Sequence, residues 1–349
     1  MTNDSTLALV NRYRSPIMGF AALWILFFHF WQPLFANGAP AALFYAENVA
    51  KRLGFEGVDM FFLLSGMGLT YSVGKHSLGG FYLRRLKRLA VPFVAVAALR
   101  AVCERWGWRA FLFVVSGANF FVGNMYFFLW FVTAIAVLYF VFPLYWRFFS
   151  RARSKAVFTL AVIAVWYALS LSLRGVLRED MYGFTNRIPV FLTGVLFGWG
   201  SQKGAALPPR RTVAVIAAGL AAAGLTLSFM CNFRNLELLL PQSNCCLPSF
   251  LTALGLTALL AELFAWLGSG AGRFVNRALG FVGGISLEFY CVQEFLGGRT
   301  VNALAGHVPD IAVNLAVLAV VTASGWALHI ANDLLWQGMA RIGRKKAEG

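Results

Sequence analysis

The chain has 349 residues, of which 59% are hydrophobic and only 13% charged, with mean hydropathy +0.69 and a formal net charge of +16. Soluble chains carry about a quarter charged residues, so this composition excludes a soluble globular enzyme and points to a membrane protein. The basic excess does not point to nucleic acid, because the lysines and arginines lie between apolar stretches, where membrane topology and anionic lipid account for them.

A spanning helix needs about 20 mostly apolar residues. About ten stretches qualify in chain order: 16–34, 57–74, 89–103, 126–146, 156–173, 188–200, 212–230, 247–267, 278–296 and 311–336. The first lacks a small-residue cleavage site and is followed by further spans, so it is expected to stay in the membrane. A further apolar run at 111–122 contains Ser116, Gly117 and Asn119, and reads as an interfacial or re-entrant piece. With the N-terminus inside, the inner segments carry roughly twice as many basic residues as the outer ones, and every inner segment is basic. The expected fold is therefore all-α: one polytopic membrane helical bundle over 1–349, with about ten transmembrane helices and both termini cytoplasmic. Its place would be the inner or plasma membrane.

The Gly/Ala-rich stretch 214–227 reads as a close-packing helix, since small residues let backbones approach in lipid. Cys231, Cys245 and Cys246 fall on one predicted outer loop, where a disulfide from Cys231 to Cys245 or Cys246 would act as a staple. Cys103 and Cys291 read as apolar fillers. No Cys/His spacing resembles a metal site, and no metal is expected.

Few ionisable residues interrupt the spans. His29 sits in an otherwise uncharged span, where a histidine is either satisfied by a neighbouring helix or acts as a general base. Asp59 opens the second span from the outer side. It could lie level with His29 on an antiparallel neighbour and orient the imidazole, or serve as a helix-start acid, the reading given to Glu56. Past the second span come Lys75, Arg84, Arg85, Lys87 and Arg88, with no acid among them. Such a cluster suits phosphate, which guanidinium groups bind through paired charge-assisted bonds, although positive residues also mark cytoplasmic helix ends in general. Arg187, before the sixth span, could bind an acceptor, stabilise an oxyanion or anchor its helix.

Several of these residues lie in longer motifs. GVDMFFLLSGMGLTYS followed by FYLRRLKRLAVPF resembles the signature of the acyltransferase-3 integral membrane family. WFVTAIAVLYFVFPLYW at 130–146, RIPVFLTGVLFG at 187–198 and GGISLEFY at 283–290 follow in the family's order, so the resemblance covers nearly the whole chain. It implies that His29 and Asp59 are catalytic, with His29 as the base. It also implies an acyl-CoA donor, expected to be acetyl-CoA, held by Arg84, Arg85 and Arg88, and an acceptor hydroxyl on a glycan or lipid-linked molecule. The donor's pantetheine arm would carry the thioester up the bundle from the shallow arginines toward the deep histidine.

Two positions depart from the family pattern. Met18 stands where the family has Arg or Lys, with Arg14 one helical turn earlier as a substitute donor contact. Gln293 stands where the family often has histidine. Ser65, Glu288, Gln293 and Arg187 are the expected substrate-side residues. His307 and His329 receive no role. Two alternatives stay open: an exporter without acyl chemistry, using the intramembrane His, Asp and Arg as a path, and an acyltransferase acting on a small molecule.

Overall fold

The computed structural model describes residues 5–35, 40–73, 75, 77–123, 129–268 and 272–348. Among these residues every named element is helical. In chain order they are α1 (Thr6–Arg12), α2 (Arg14–Phe30), α3 (Ala41–Arg52), α4 (Glu56–Thr70), α5 (Leu78–Cys103) and α6 (Trp108–Val115). Then come α7 (Ala118–Val122), α8 (Trp130–Arg151), α9 (Lys155–Ser172), α10 (Tyr182–Thr185), α11 (Ile188–Gln202) and α12 (Arg210–Phe233). The last are α13 (Leu247–Trp266), α14 (Gly272–Gly284), α15 (Ser286–Val292), α16 (Gly298–Leu304) and α17 (Asp310–Glu348).

Five of these, α8, α9, α12, α13 and the Asp310–Met339 part of α17, are long and apolar enough to cross a membrane, and α2 is a shorter apolar helix. Their surfaces suit lipid. Helix α9 buries Thr159 and Ser170 while exposing Val157, Leu160, Val165 and Leu169. That is the reverse of a water-soluble helix and follows from a hydrocarbon solvent, which welcomes apolar side chains and leaves hydroxyls to be satisfied inside. Tyr145 and Thr159 share a hydrogen bond of 3.2 Å, and the Thr159 hydroxyl also donates to the Lys155 carbonyl.

Three elements differ from the hydropathy reading. The third expected span starts at 89, but α5 begins at Leu78, where Ser77 caps it by accepting from the Gly80 N–H. The basic residues 84–88 are therefore helical. The expected 278–296 span is not one helix. It is interrupted at Ile285 and winds as a π-helix over Gln293–Gly297. The 111–122 run forms the short helices α6 and α7, separated at Gly117, whose φ of 75° suits glycine. Neither is long enough to cross a bilayer, as expected of a non-spanning piece. The start of the expected 126–146 span lies outside the described residues.

The chain divides into two compact units, Met1–His76 with Val141–Gly284, and Ser77–Phe140 with Ile285–Gly349. In the first unit, helices meet where side chains are absent. A Cβ at Gly19 would strike the Leu279 carbonyl, and one at Gly283 the Ser15 carbonyl, so α2 and α14 pack backbone to backbone. Gly66 and Gly194 do the same for α4 and α11, against Phe191 and Leu63. In the 214–227 stretch, Ala217, Ala221 and Gly224 are buried, and Gly224 abuts Pro248 and Thr252 of α13, so this close-packing expectation holds. Gly283→Ala is expected to cost about 1–3 kcal/mol by overpacking. It should lower the melting temperature in detergent, whereas Gly284→Ala, with open space at its Cβ, should leave it unchanged.

The loop staple is not formed. Cys231, Cys245 and Cys246 are all free thiols. Burial pushes the Cys245 thiol up to about 12, which removes the thiolate that disulfide formation requires.

The second unit joins α5, α6, α7, α15, α16 and α17 with the first half of α8. Helix α17 lies against α15 so closely that Gly325 abuts the Phe289 backbone, and the Trp336 Nε1–H donates to the Lys87 carbonyl of α5 at 3.2 Å.

Candidate functional site

In the first unit, His29 occupies the last turn of α2. Its ring is exposed, and among the described residues no side chain hydrogen-bonds to it. Phe28 flanks it edge-on, with ring centroids 4.8 Å apart, and itself meets Phe55. The chain beyond the histidine is clamped to α3. Trp31 Nε1–H donates to Glu47 Oε1 at 2.7 Å, the Leu34 and Phe35 N–H groups donate to the same carboxylate, and Lys51 Nζ donates to the Trp31 carbonyl. Burial alone would raise the Glu47 carboxyl. The bonds from Leu34, Trp31 and Phe35 and the Lys51 ammonium outweigh it and hold the group below its ordinary value. Glu47 thus fixes the chain direction just after the candidate base.

Helix α4 does neighbour α2, with Gly57 against Ala21 and Ile25. Asp59, however, is paired elsewhere. Its Oδ2 accepts from Arg187 Nε at 3.0 Å, the carboxylate being 0% and the guanidinium 3% exposed, and Arg187 Nη1 also donates to the Gly183 carbonyl. The triad-like pairing of Asp59 with His29 is therefore absent, and Arg187 is buried. The physical reason is compensation: a carboxylate sealed inside the bundle is tolerable beside a cation, and an exposed imidazole offers less. Glu56, read from sequence as a helix-start acid, is also buried and accepts from the Ser228 hydroxyl at 2.6 Å. Asn232 Nδ2 extends the network to the Ser228 carbonyl. Glu56 and Asp59 thus face a single guanidinium, and Glu56 Oε2 and Asp59 Oδ1 are buried without a hydrogen-bond partner. Ser65 is buried on the same helix. The Arg14 guanidinium lies over Gly68, where a Cβ would collide with it, so Arg14 does reach α4.

In the second unit, Arg84, Arg85 and Arg88 stand on α5. Arg85 is held over the rings of Phe81 and Tyr139, each 5.4 Å from its carbon. It is the one charged side chain lining a cavity of about 760 Å³ whose other walls include Leu89, Phe93, Val132, Ala136 and Phe140. Arg88 is exposed and Arg84 half-buried. Glu288 is buried on α15 and pairs with His329, its Oε1 lying 3.0 Å from Nδ1. Gln293 is buried at the start of the π turn. Local widening of this kind often accompanies functional positions. The Tyr290 hydroxyl accepts weakly from the Phe131 N–H at 3.4 Å.

Sequence reasoning missed Ser228 and His329. The only sequence signal for His329 was Asp333, four residues on and so on the same helix face.

The family model described as an acyltransferase domain matches residues 19–330. No curated protein and no solved structure matches the chain.

Proposed function

The chain belongs to the acyltransferase-3 family and is a multi-pass membrane acyltransferase, and from that premise we propose that it moves an acyl group, in the first instance acetyl, from cytoplasmic acyl-CoA to a hydroxyl of a glycan or lipid-linked acceptor. In this reading the polypeptide crosses the inner or plasma membrane about ten times, with both termini cytoplasmic, as the basic segments favour. Arg84, Arg85 and Arg88, with Arg14, hold the donor. His29 takes the proton of the acceptor hydroxyl, whose oxygen attacks the thioester. Asp59, Arg187, Ser65, Glu288 and Gln293 serve the site as positioning or acceptor-side groups.

The observation that carries this reading is the Arg85 guanidinium on the wall of the 760 Å³ cavity. A cation at the edge of an otherwise apolar space suits a ligand with phosphates at one end and a long, mostly uncharged arm at the other. Guanidinium groups bind phosphate through paired bonds, and bonds to charged groups contribute about 1.5–3 kcal/mol each.

The test is free CoA release from acetyl-CoA by the purified protein in lipid nanodiscs, beside CoA binding. The wild type is expected to release CoA slowly even without acceptor. Arg85→Ala/Arg88→Ala is expected to weaken CoA binding at least tenfold. A folded wild type that neither binds CoA nor consumes the thioester would refute the donor assignment, and unchanged binding in the double variant would remove the arginines from it.

A further inference from the structure

Acyl transfer from a thioester needs a base for the incoming hydroxyl and also a proton for the departing sulfur. We propose that Glu288, His329 and Asp333 form a proton relay in the second unit that supplies this second proton. The proposal rests on the acyl-CoA reading above.

The geometry is that of a carboxylate–imidazole pair with an entry point. His329 Nδ1 lies 3.0 Å from Glu288 Oε1, and its Nε2 lies 3.7 Å from Asp333 Oδ2. Exposure is graded along the three: the Asp333 side chain is 60% exposed, His329 33% and Glu288 3%. The line runs from surface to interior, with a ring that can accept a proton at one nitrogen and donate one from the other. Glu288 Oε2 is buried without a hydrogen-bond partner. An ion pair serving only to fasten α15 to α17 would leave no reason to bury that second oxygen unmatched, because an unsatisfied buried acceptor costs about 1–3 kcal/mol.

The surroundings fit a donor held on α5. The Trp336 ring lies 4.8 Å from Lys87 Nζ, and its Nε1 bonds to both the Lys87 carbonyl and Asn332. Lys87 stands between Arg85 and Arg88. His329 lies seven residues back along α17 from that contact, or ~10 Å at 1.5 Å per residue. The group that protonates the donor's sulfur must stand away from the phosphate-binding arginines by much of the pantetheine arm, and His329 does. Among the described residues, Glu288 from α15 and Asp333 from α17 are the ionisable groups within ion-pair distance of the ring. Lys87 faces α17 from α5, while Glu294 of the π turn and Arg299 of α16 form no ion pair with the ring.

The step balances. The acceptor oxygen bonds to the carbonyl carbon, and the carbon–sulfur bond breaks with its electron pair going to sulfur. The hydroxyl proton passes to the base and later to solvent. The sulfur takes a proton from His329, which is reprotonated from bulk water past Asp333. No oxidant, reductant or further reactant is needed.

The experiment is a pH–rate profile of acetyl-CoA cleavage in nanodiscs, with CoA binding measured in parallel, for wild type, His329→Gln, Glu288→Gln and Asp333→Asn. Glutamine at 329 can still donate a hydrogen bond to Glu288 but cannot transfer a proton, so a fastening role alone predicts near wild-type turnover. The relay predicts retained CoA binding and a fall in turnover of about 100-fold or more, the usual span for general acid catalysis. The rate requires the protonated ring, so the wild-type profile should decline on its alkaline side, and His329→Gln should lack that decline. Asp333→Asn changes an exposed position that folding does not need, and should slow turnover and shift the same limb. Wild-type turnover in His329→Gln overturns the relay while sparing the donor reading. If His329→Gln fails to fold, an unchanged profile in Asp333→Asn overturns the relay. A wild type inert toward acyl-CoA overturns both.

Discussion

His29→Ala is expected to abolish acyl transfer, lowering turnover by about 10²–10⁴-fold, the range associated with losing a general base, while leaving CoA binding within a factor of two. The expectation comes from the contrast between this histidine and its surroundings. His29 is exposed at the end of an apolar helix, with no hydrogen-bond partner among the described residues, so no structural bond is lost when the ring is removed. The chain immediately after it is instead secured by Glu47, which gathers Trp31, Leu34 and Phe35. An unengaged imidazole beside a purpose-built clamp is what a base requires, namely a fixed position and a free nitrogen. Thermal stability should therefore be unchanged while turnover collapses. A His29→Ala protein that still consumes acyl-CoA and modifies acceptor at the wild-type rate would remove His29 from the chemistry.

Arg187→Met should do the opposite, acting first on stability. Removing one partner of a buried ion pair leaves an uncompensated buried charge and costs about 3–5 kcal/mol. Here the burden is doubled, because Asp59 and Glu56 are both fully buried around that one guanidinium. The double variant Asp59→Leu/Arg187→Met removes both charges of the pair and should recover most of the loss, since apolar replacement of a whole buried pair is often neutral. The measurement is the unfolding midpoint in detergent for both single variants and the double. Equal, additive losses would show that the 3.0 Å contact is not energetically coupled, and that Arg187 is free to serve a ligand.

The pairing of Asp59 also shows where reading along the chain stops. Hydropathy located the apolar helices α2, α8, α9, α12, α13 and α17 to within a few residues, and Gly117 marked the break in the 111–122 run. The motif around Asp59 and Arg85 was enough to name the family, as the match over 19–330 bears out. The same motif suggested His29 as the partner of Asp59, and the structure supplies Arg187 instead. The π turn at Gln293–Gly297 and the break at Ile285 were invisible for a related reason: 278–296 is apolar throughout and carries no proline to announce an interruption.

By itself, then, the sequence determined that this is a helical membrane protein, where most of its long apolar helices run, and to which acyltransferase family it belongs. These are local properties, because in lipid each helix satisfies its backbone hydrogen bonds within its own segment, and about 20 apolar residues suffice to specify it. Only the tertiary structure decided that Asp59 faces Arg187, that Glu56 meets Ser228, and that Glu288 meets His329. These partners are 128, 172 and 41 residues apart. Which of them meet depends on how helices pack and turn toward one another, and the need to neutralise or satisfy each buried polar group then selects the partner within reach.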